Sequence, residues 1–171
     1  KYFYEDAIAT VYIFMAVYAS KVLKFGDSEQ RLFLMTATTF AMAGAFAAGF
    51  VTDRIGPRRT IMIVLAGWVV FLSAAAATTE RSHFWVIGPG LGVLLGSMWT
   101  SSRPLLVTLV PRESQGEFFA LSELTGKMSA VVGPALWGLI ILLAERAGAS
   151  QINQYRWAIA SLIVMIVIGA A

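Results

Sequence analysis

Residues 32–52 read LFLMTATTFAMAGAFAAGFVT and contain no charged side chain. At a rise of about 1.5 Å per residue, a helix of this length spans roughly 32 Å, close to the ~30 Å hydrocarbon core of a bilayer. Two further uncharged runs follow, with 20 residues between Arg59 and Glu80 and 21 between Arg81 and Arg103. Three such runs in a chain of 171 residues predict an integral membrane protein.

The composition agrees with this prediction and excludes several other classes. Only 13% of the residues are charged, whereas a soluble domain carries about 25%. The 58% hydrophobic content excludes a disordered chain. The net charge of +3 is spread out, with no basic cluster longer than Arg58-Arg59, so we expect no nucleic-acid partner. The absence of cysteine removes disulfides and thiolate metal sites.

The hydropathy pattern predicts an all-α, polytopic membrane protein, with residues 1–171 forming a single six-helix transmembrane bundle. A membrane barrel would instead show segments of strict apolar and polar alternation. Runs such as residues 61–65 (IMIVL) and 162–166 (LIVMI) are apolar on every side and favour helices in lipid. The predicted helices cover residues 2–23, 30–52, 60–79, 84–110, 115–144 and 155–171.

The connections between these helices are short. Gly26-Asp27-Ser28 supplies a turn and N-cap candidates for the second helix. Ser114-Gln115-Gly116-Glu117 fits a capping box that opens the fifth. Gly148-Ala149-Ser150 separates the fifth helix from the sixth.

The two sides of the membrane are not distinguished by charge. Five basic residues fall on each side: Lys1, Arg54, Arg58, Arg59 and Arg112 on one, and Lys24, Arg31, Arg81, Arg146 and Arg156 on the other. The positive-inside rule therefore gives no orientation. Trp85, Tyr155 and Trp157 open the fourth and sixth helices on one side, where we expect them to form an aromatic belt.

The connection between the second and third helices is very tight and strongly basic. It reads GFVTDRIGPRRT over residues 49–60. This stretch resembles the helix 2–3 signature of the major facilitator superfamily, Gly-x-Leu-x-Asp-Arg-x-Gly-Arg-Lys/Arg. The matching positions are Gly49, Asp53, Arg54, Gly56 and Arg58, with Arg59 beside them.

The signature match implies a location and a role for this loop. The resemblance implies that the loop is cytoplasmic and that Asp53, Arg54 and Arg58 form a charge network governing the inward–outward switch. Val51 replaces the usual leucine, and Pro57 stands where the first basic residue is expected.

A second set of motifs narrows the resemblance to one branch of that superfamily. Residues 101–105 (SSRPL), 109–112 (LVPR), 117–119 (EFF), 126–127 (GK) and 133–134 (GP) follow in order. They resemble the second half of the branch that contains autophagy-linked vacuolar amino-acid effluxers and their bacterial relatives. Tyr4 and Asp6 match that branch's Tyr-Asn-Asp-Gly opening of helix 7. The resemblance implies helices 7–12 of a twelve-helix transporter, with an N-terminal six-helix half as partner.

Arg103 lies late in the fourth predicted helix and is a candidate for a functional role. Ionisable residues within the membrane are unfavourable, at about 2.5–3.5 kcal/mol for an arginine at a helix centre by insertion scales, so each is a functional hypothesis. At about 100° per residue Arg103 shares a stripe with Gly88, Gly92 and Gly96, a ladder of small residues suited to close helix contact. We therefore expect Arg103 to face protein. Snorkelling to the interface and substrate contact both remain open.

The fifth helix carries an acid and a base four residues apart, Glu123 and Lys127. This order favours an ion pair on one helix face. Gly133 and Pro134 follow on that helix and predict a kink. An internal salt bridge and a gate-lining face both remain open.

Glu5 and Asp6 open the first helix, and only 14 uncharged residues separate Asp6 from Lys21. That run spans roughly 21 Å, which is shorter than the bilayer core. A carboxylate there suits a substrate ammonium group or a proton, whereas an interfacial helix start is the alternative. Asp6 is the strongest carboxylate candidate.

No catalytic constellation, metal cluster or cofactor motif is present. The segment GPGLG at residues 88–92 lies in a membrane helix with no preceding strand and is not a dinucleotide loop. We therefore expect a secondary transporter of a small polar solute, such as an amino acid, that works by alternating access, with proton coupling as an option. We expect it in a bacterial inner membrane. The alternatives are a non-transporting scaffold or receptor and a dimeric, channel-like six-helix unit.

Overall fold

The computed structural model describes residues 2–170, apart from the side chains of residues 2, 125 and 128–130. Over this range the chain forms six long helices and one short 3-10 turn, with no strand. The elements are α1 (Tyr2–Lys21), α2 (Asp27–Ile55), α3 (Pro57–Ala77), α4 (Arg81–Leu109), the turn Arg112–Ser114, α5 (Gln115–Arg146) and α6 (Gln151–Ala170). Lys1 and the predicted helix end at Ala171 lie outside the described residues. The predicted all-α fold class is confirmed.

Four of the six helices, α2, α3, α4 and α6, are long and apolar enough to cross a membrane by length and composition. Three of them contain the uncharged runs that first indicated a bilayer. Helix α1 carries Glu5 and Asp6 in its first turns, and α5 is the longest helix at 32 residues. The chain is an integral, polytopic membrane protein.

Helices α2, α3, α4 and α6 begin three or four residues earlier than predicted, and two predicted helix caps are wrong. The N-cap of α2 is Gly26, whose N–H donates to a carboxylate oxygen of Glu29 at 3.2 Å, so neither Asp27 nor Ser28 is the cap. The predicted capping box of α5 is also wrong, because Ser114 makes no capping hydrogen bond through its side chain. Ser114 ends the 3-10 turn at φ −106° and ψ 4°, outside the extended backbone region that an N-cap requires.

The helices pack in two groups. Helix α2 lies along α4, which also contacts α3, whereas α1, α5 and α6 contact one another. Contacts between α3 and α6 join the groups. At that junction Trp68 of α3 and Leu162 and Ile166 of α6 are almost completely buried.

The contact between α2 and α4, here called the α2–α4 seam, depends on glycines, which have no side chain. A Cβ atom on Gly92 would collide with the carbonyl oxygen of Ala37, and one on Gly96 would collide with the carbonyl oxygen of Ala41. On the facing helix, a Cβ on Gly44 would meet the Val93 backbone. The two backbones therefore touch directly, as small residues permit in membrane helices. Gly88 extends this face of α4 and meets the ring of Phe33 instead.

The predicted aromatic belt forms only in part. Trp157 is 52% exposed and Trp85 is 36% exposed, but Tyr155 is 7% exposed and lies in the core. Tyr155 and Trp157 are two residues apart, about 200° around a helix, so they face opposite sides. The Tyr155 ring contacts Tyr18 edge-on at 5.7 Å.

On the side of the bundle opposite residues 53–59, Arg81 fastens α4 to the connection between α1 and α2. Its guanidinium donates to the carbonyl oxygens of Leu23 (2.8 Å) and Lys24 (2.6 Å). It also lies 3.8 Å from the Glu29 carboxylate and over the ring of Phe25. Lys24 has a left-handed backbone, with φ 52°. Arg81 therefore provides hydrogen-bond donors to the α1–α2 connection, in which Lys24 has this left-handed conformation.

We expect Arg81→Ala to lower the free energy of unfolding by about 1 kcal/mol, because two carbonyl oxygens lose a charged donor while the side chain is partly exposed. Arg81→Lys is expected to restore only part of this loss, since an ammonium group lacks the fork that reaches both carbonyls. Thermal denaturation of the purified protein in detergent measures both effects. Equal stability of Arg81→Ala and wild type would contradict the prediction.

Candidate functional site

The most enclosed carboxyl group among the described residues lies between α1 and α5. Asp6 is 0% exposed, and its Oδ1 atom accepts the backbone N–H of Gly133 at 2.9 Å. Its Oδ2 atom is buried and has no hydrogen-bond partner among the described residues. The Thr10 hydroxyl, one turn further along α1, donates to the Asp6 carbonyl oxygen at 2.7 Å.

Gly133 packs against the side chains of Asp6 and Thr10 and leaves no space for a side chain of its own. A Cβ atom there would collide with Thr10 Oγ1 and would lie 2.7 Å from Asp6 Oδ1. Pro134 follows inside α5 and has no N–H to donate. Asp6 and Thr10 therefore contact α5 at the Gly133–Pro134 step, where a bend is easiest. We call this contact between Asp6, Thr10 and Gly133 the α1–α5 clasp.

One turn beyond the clasp, α5 contributes Trp137 to an aromatic cluster. Its indole ring stacks on Phe14 at 5.1 Å and lies 6.1 Å from the Tyr155 ring. Tyr18 joins the cluster and donates its hydroxyl to the Ala75 carbonyl oxygen at 3.3 Å. Trp137 Nε1 is buried without a hydrogen-bond partner in the described chain. The clasp therefore lies beside a packed aromatic cluster.

The signature loop takes the tight turn that its sequence predicts. A single residue, Gly56, separates α2 from α3, and its φ of 85° is a conformation that only glycine adopts readily. Pro57 is the first residue of α3, a position at which its missing N–H costs nothing. Just before the turn, the hydroxyls of Thr52 and Ser101 lie 3.0 Å apart in a buried contact between α2 and α4.

The charged residues of this loop point away from the bundle. Asp53, Arg54, Arg58 and Arg59 are all exposed. Among residues 2–170, none of them takes part in the salt bridges or side-chain hydrogen bonds that the structure contains. An open cleft of about 450 Å³ lies between the loop and Thr108 and Leu109 at the end of α4. The charges are thus available to groups outside these helices.

Arg103 lies on a different side of α4 from the one predicted. It is exposed, whereas Ser97 and Ser101 take the buried positions toward α2, and Ser97 donates to the Gly44 carbonyl oxygen at 3.1 Å. Arg103 is two residues beyond Ser101, about 200° around the helix, and so it faces away from α2. Its expected protein-facing position is not found within the described chain.

The predicted ion pair between Glu123 and Lys127 is absent from the described structure. Both side chains are exposed, and no salt bridge joins them. An exposed pair at this spacing contributes only about 0.3–0.5 kcal/mol, which does not hold two long side chains together. Glu5, next to Asp6, is half-buried.

Sequence reasoning identified Asp6 and Gly133 separately but missed Thr10 and the contact that joins them. The four-residue spacing of Asp6 and Thr10 on an apolar helix was the available signal, since such residues share one face. The pairing of Thr52 with Ser101 was missed because nothing local in the sequence relates two hydroxyls 49 residues apart.

The fold and its signature loop define a class of protein. A polytopic bundle of apolar helices with a tight, arginine-rich turn between α2 and α3 agrees with the membrane-transporter class that the resemblance of residues 49–60 implies.

The chain matches the family described as "Vacuole effluxer Atg22 like" over residues 2–171 and belongs to that family. Autophagy-related protein 22-2 of Sclerotinia sclerotiorum is 30% identical to it, covering 93% of this chain and 25% of the relative. A Bacillus subtilis protein named "Uncharacterized MFS-type transporter YxiO" is 24% identical, covering 98% of this chain and 37% of the relative.

Autophagy-related protein 22 of Candida glabrata is 23% identical, over 80% of this chain and 27% of the relative. The chain therefore spans about a quarter to somewhat over a third of the length of these curated relatives. Such relatives occur in fungi and in a bacterium. The expected resemblance to this branch is confirmed by the family match.

Proposed function

We propose that these six helices form the C-terminal half of a secondary active transporter that moves a small polar solute by alternating access. A six-helix N-terminal half would supply the other wall of a site near the bilayer midplane, as in transporters built from two related bundles. Membership of the Atg22-like family over residues 2–171 is the observation that carries this proposal. The length of the relatives supports a larger whole protein.

We further propose an amino acid as the solute, transport rather than enzymatic catalysis as the activity, and a bacterial cytoplasmic membrane as the location. The description "vacuole effluxer" and the likeness to an MFS-type transporter support transport. The bacterial relative supports the location, and the amino acid is chosen because residues 101–134 and Tyr4 and Asp6 resemble the branch of amino-acid effluxers. With the superfamily orientation, residues 53–59 face the cytoplasm.

The signature loop is proposed as the conformational latch. Asp53, Arg54 and Arg58 are exposed and are not bridged to any described residue. Charges in this position are free to pair with another part of the transporter in one of its two states. A latch made in one state only shifts the equilibrium between inward-open and outward-open forms.

The test is transport by the full-length protein in proteoliposomes. The probe is a panel of radiolabelled L-amino acids, measured as saturable uptake against protein-free vesicles. Saturable flux of at least one amino acid supports the proposal. Complete absence of saturable flux contradicts it and favours a scaffold, whereas single-channel currents in a planar bilayer favour a channel-like unit.

We expect Asp53→Asn to reduce saturable flux by about tenfold. The Asp53 charge would stabilise only one of the two conformations, and loss of such a contact shifts their equilibrium by a factor of this size. Glu113→Gln, an exposed carboxylate in the turn before α5, is the matched control and should leave flux unchanged. Initial rates at several solute concentrations provide the measurement. Flux in Asp53→Asn equal to that of the control would remove Asp53 from the switch.

A further inference from the structure

The negative charge of a buried Asp6 carboxylate would have to be neutralised. It is 0% exposed in a membrane helix, and only one of its two oxygens has a hydrogen-bond donor among the described residues. A carboxylate removed from water without a partner for its charge is strongly unfavourable. The group therefore needs a positive charge or a proton at Oδ2.

No described residue supplies that positive charge. On α1 the neighbouring titratable groups are Tyr4, which is buried, and Glu5, which is itself acidic. On α5 the nearest charged residues are Lys127 and Glu123, both exposed and at least six residues before Gly133.

Helix α6, the third element of this group, is also without a cation near Asp6 in its described part. It meets Tyr4 through Gly169, but its arginine, Arg156, is thirteen residues away from that glycine. Arg156 donates to the Ala77 carbonyl oxygen at 3.3 Å. Because Asp6 is 0% exposed, a group from outside the chain reaches it only if α1 or α5 moves.

A proton fits this position better than a metal cation does. A bound cation requires several oxygen ligands around an open volume, whereas the α5 side of Asp6 is closed so tightly that a methyl group on Gly133 would collide with Thr10. The nearby oxygens of α1, Thr10 Oγ1 and the Asp6 carbonyl, already bond to each other. A proton on Oδ2 needs no added volume.

We propose that Asp6 is the proton-binding site of the transporter and that its protonation controls the α1–α5 clasp. This inference rests on the proposed transport function. The neutral carboxyl group keeps the clasp closed, with Oδ1 accepting the Gly133 N–H. Loss of the proton from Oδ2 to water requires α1 to move from α5 at the Gly133–Pro134 step, which exposes the carboxylate. The protonation state of Asp6 thereby determines which conformation is more stable.

The first experiment detects the proton without any transport. Infrared spectra of the full-length protein in lipid at neutral pH are compared for wild type, Asp6→Asn and Glu145→Gln, an exposed carboxylate on α5. We expect a C=O stretching band of a protonated carboxyl group in wild type and in Glu145→Gln, and its loss in Asp6→Asn. Asparagine keeps an acceptor for the Gly133 N–H, so the fold is retained. Absence of this band from the wild-type spectrum, or its persistence in Asp6→Asn, overturns the proposal.

The second experiment tests the coupling with the amino-acid panel in proteoliposomes. In Asp6→Asn we expect accumulation driven by a pH gradient to fall by about tenfold or more, while counterflow exchange of the same amino acid persists. Glu145→Gln should retain both. Undiminished pH-driven accumulation in Asp6→Asn, or wild-type accumulation driven by a sodium gradient instead, overturns the coupling. Absence of any wild-type flux contradicts the transport function, and the infrared spectrum still decides proton binding at Asp6.

Discussion

Gly96→Ala is expected to lower the free energy of unfolding by about 1–3 kcal/mol, the usual cost of overpacking a well-filled contact. The added methyl group would collide with the Ala41 carbonyl oxygen and lie 3.0 Å from the Ala45 backbone nitrogen. Both obstacles are main-chain atoms of α2 and do not rotate aside as a side chain does. Helices α2 and α4 must therefore separate along their whole seam, and Gly44, which meets Val93, loses its contact as well.

The matched control is Gly138→Ala, at a helical glycine in α5 where an added Cβ atom would meet no atom of another helix within 4 Å. Alanine at that position is expected to be neutral or to stabilise the helix by up to about 1 kcal/mol, because alanine has the higher helix propensity. Thermal denaturation of the two purified variants beside wild type measures the difference. A Gly96→Ala protein as stable as Gly138→Ala would show that the α2–α4 seam is looser than these contacts require.

Gly133→Ala is expected to abolish most of the transport activity while the protein still inserts and folds. The new methyl group would occupy the position of Thr10 Oγ1 and lie 2.7 Å from Asp6 Oδ1 and 3.0 Å from the Asp6 carbonyl oxygen. Helix α1 must then move away, which breaks the hydrogen bond from the Gly133 N–H. We expect at least about a tenfold loss of saturable flux, because the clasp no longer closes in either protonation state.

A double variant separates this effect from general damage to α5. Thr10→Ala removes the closest obstacle, so Thr10→Ala/Gly133→Ala is expected to recover part of the flux lost in Gly133→Ala. Gly138→Ala on the same helix should transport like wild type. Flux in Gly133→Ala equal to that of Gly138→Ala would contradict a role for the clasp, and an unrescued double variant would show that Thr10 is not the obstacle.

The helices were predictable because the signal is local. Charges delimit runs such as residues 32–52, and the backbone must satisfy its own hydrogen bonds in lipid, so an apolar run of that length becomes a helix. The turn at Gly56-Pro57 was predictable for the same reason, since glycine permits its positive φ and proline suits the first turn of α3. Helix caps were predicted less accurately, because Gly26 caps α2 with Glu29 and Ser114 lies in the 3-10 turn before α5.

The direction in which single side chains point was harder to predict. Arg103 and the small-residue ladder share a stripe on an ideal helix, yet Ser97 and Ser101 occupy the contact with α2 at the end of α4. Tyr155 was predicted at the membrane interface and lies in the core against Tyr18. In a membrane helix both lipid-facing and protein-facing sides are apolar, so composition alone gives little information about facing.

A helical, polytopic membrane protein with a charged, tight turn after α2 follows from the amino-acid pattern, because apolar run length, charge spacing and turn chemistry are local properties of the chain. The contact of Asp6 with Gly133, 127 positions later in the chain, is visible only in the folded protein. That contact depends on how α1 packs against α5 and on the missing side chain of a glycine, and no local pattern encodes such a pairing. The same packing removes Asp6 from water and leaves Oδ2 without a partner among the described residues, which is the physical basis of its proposed proton.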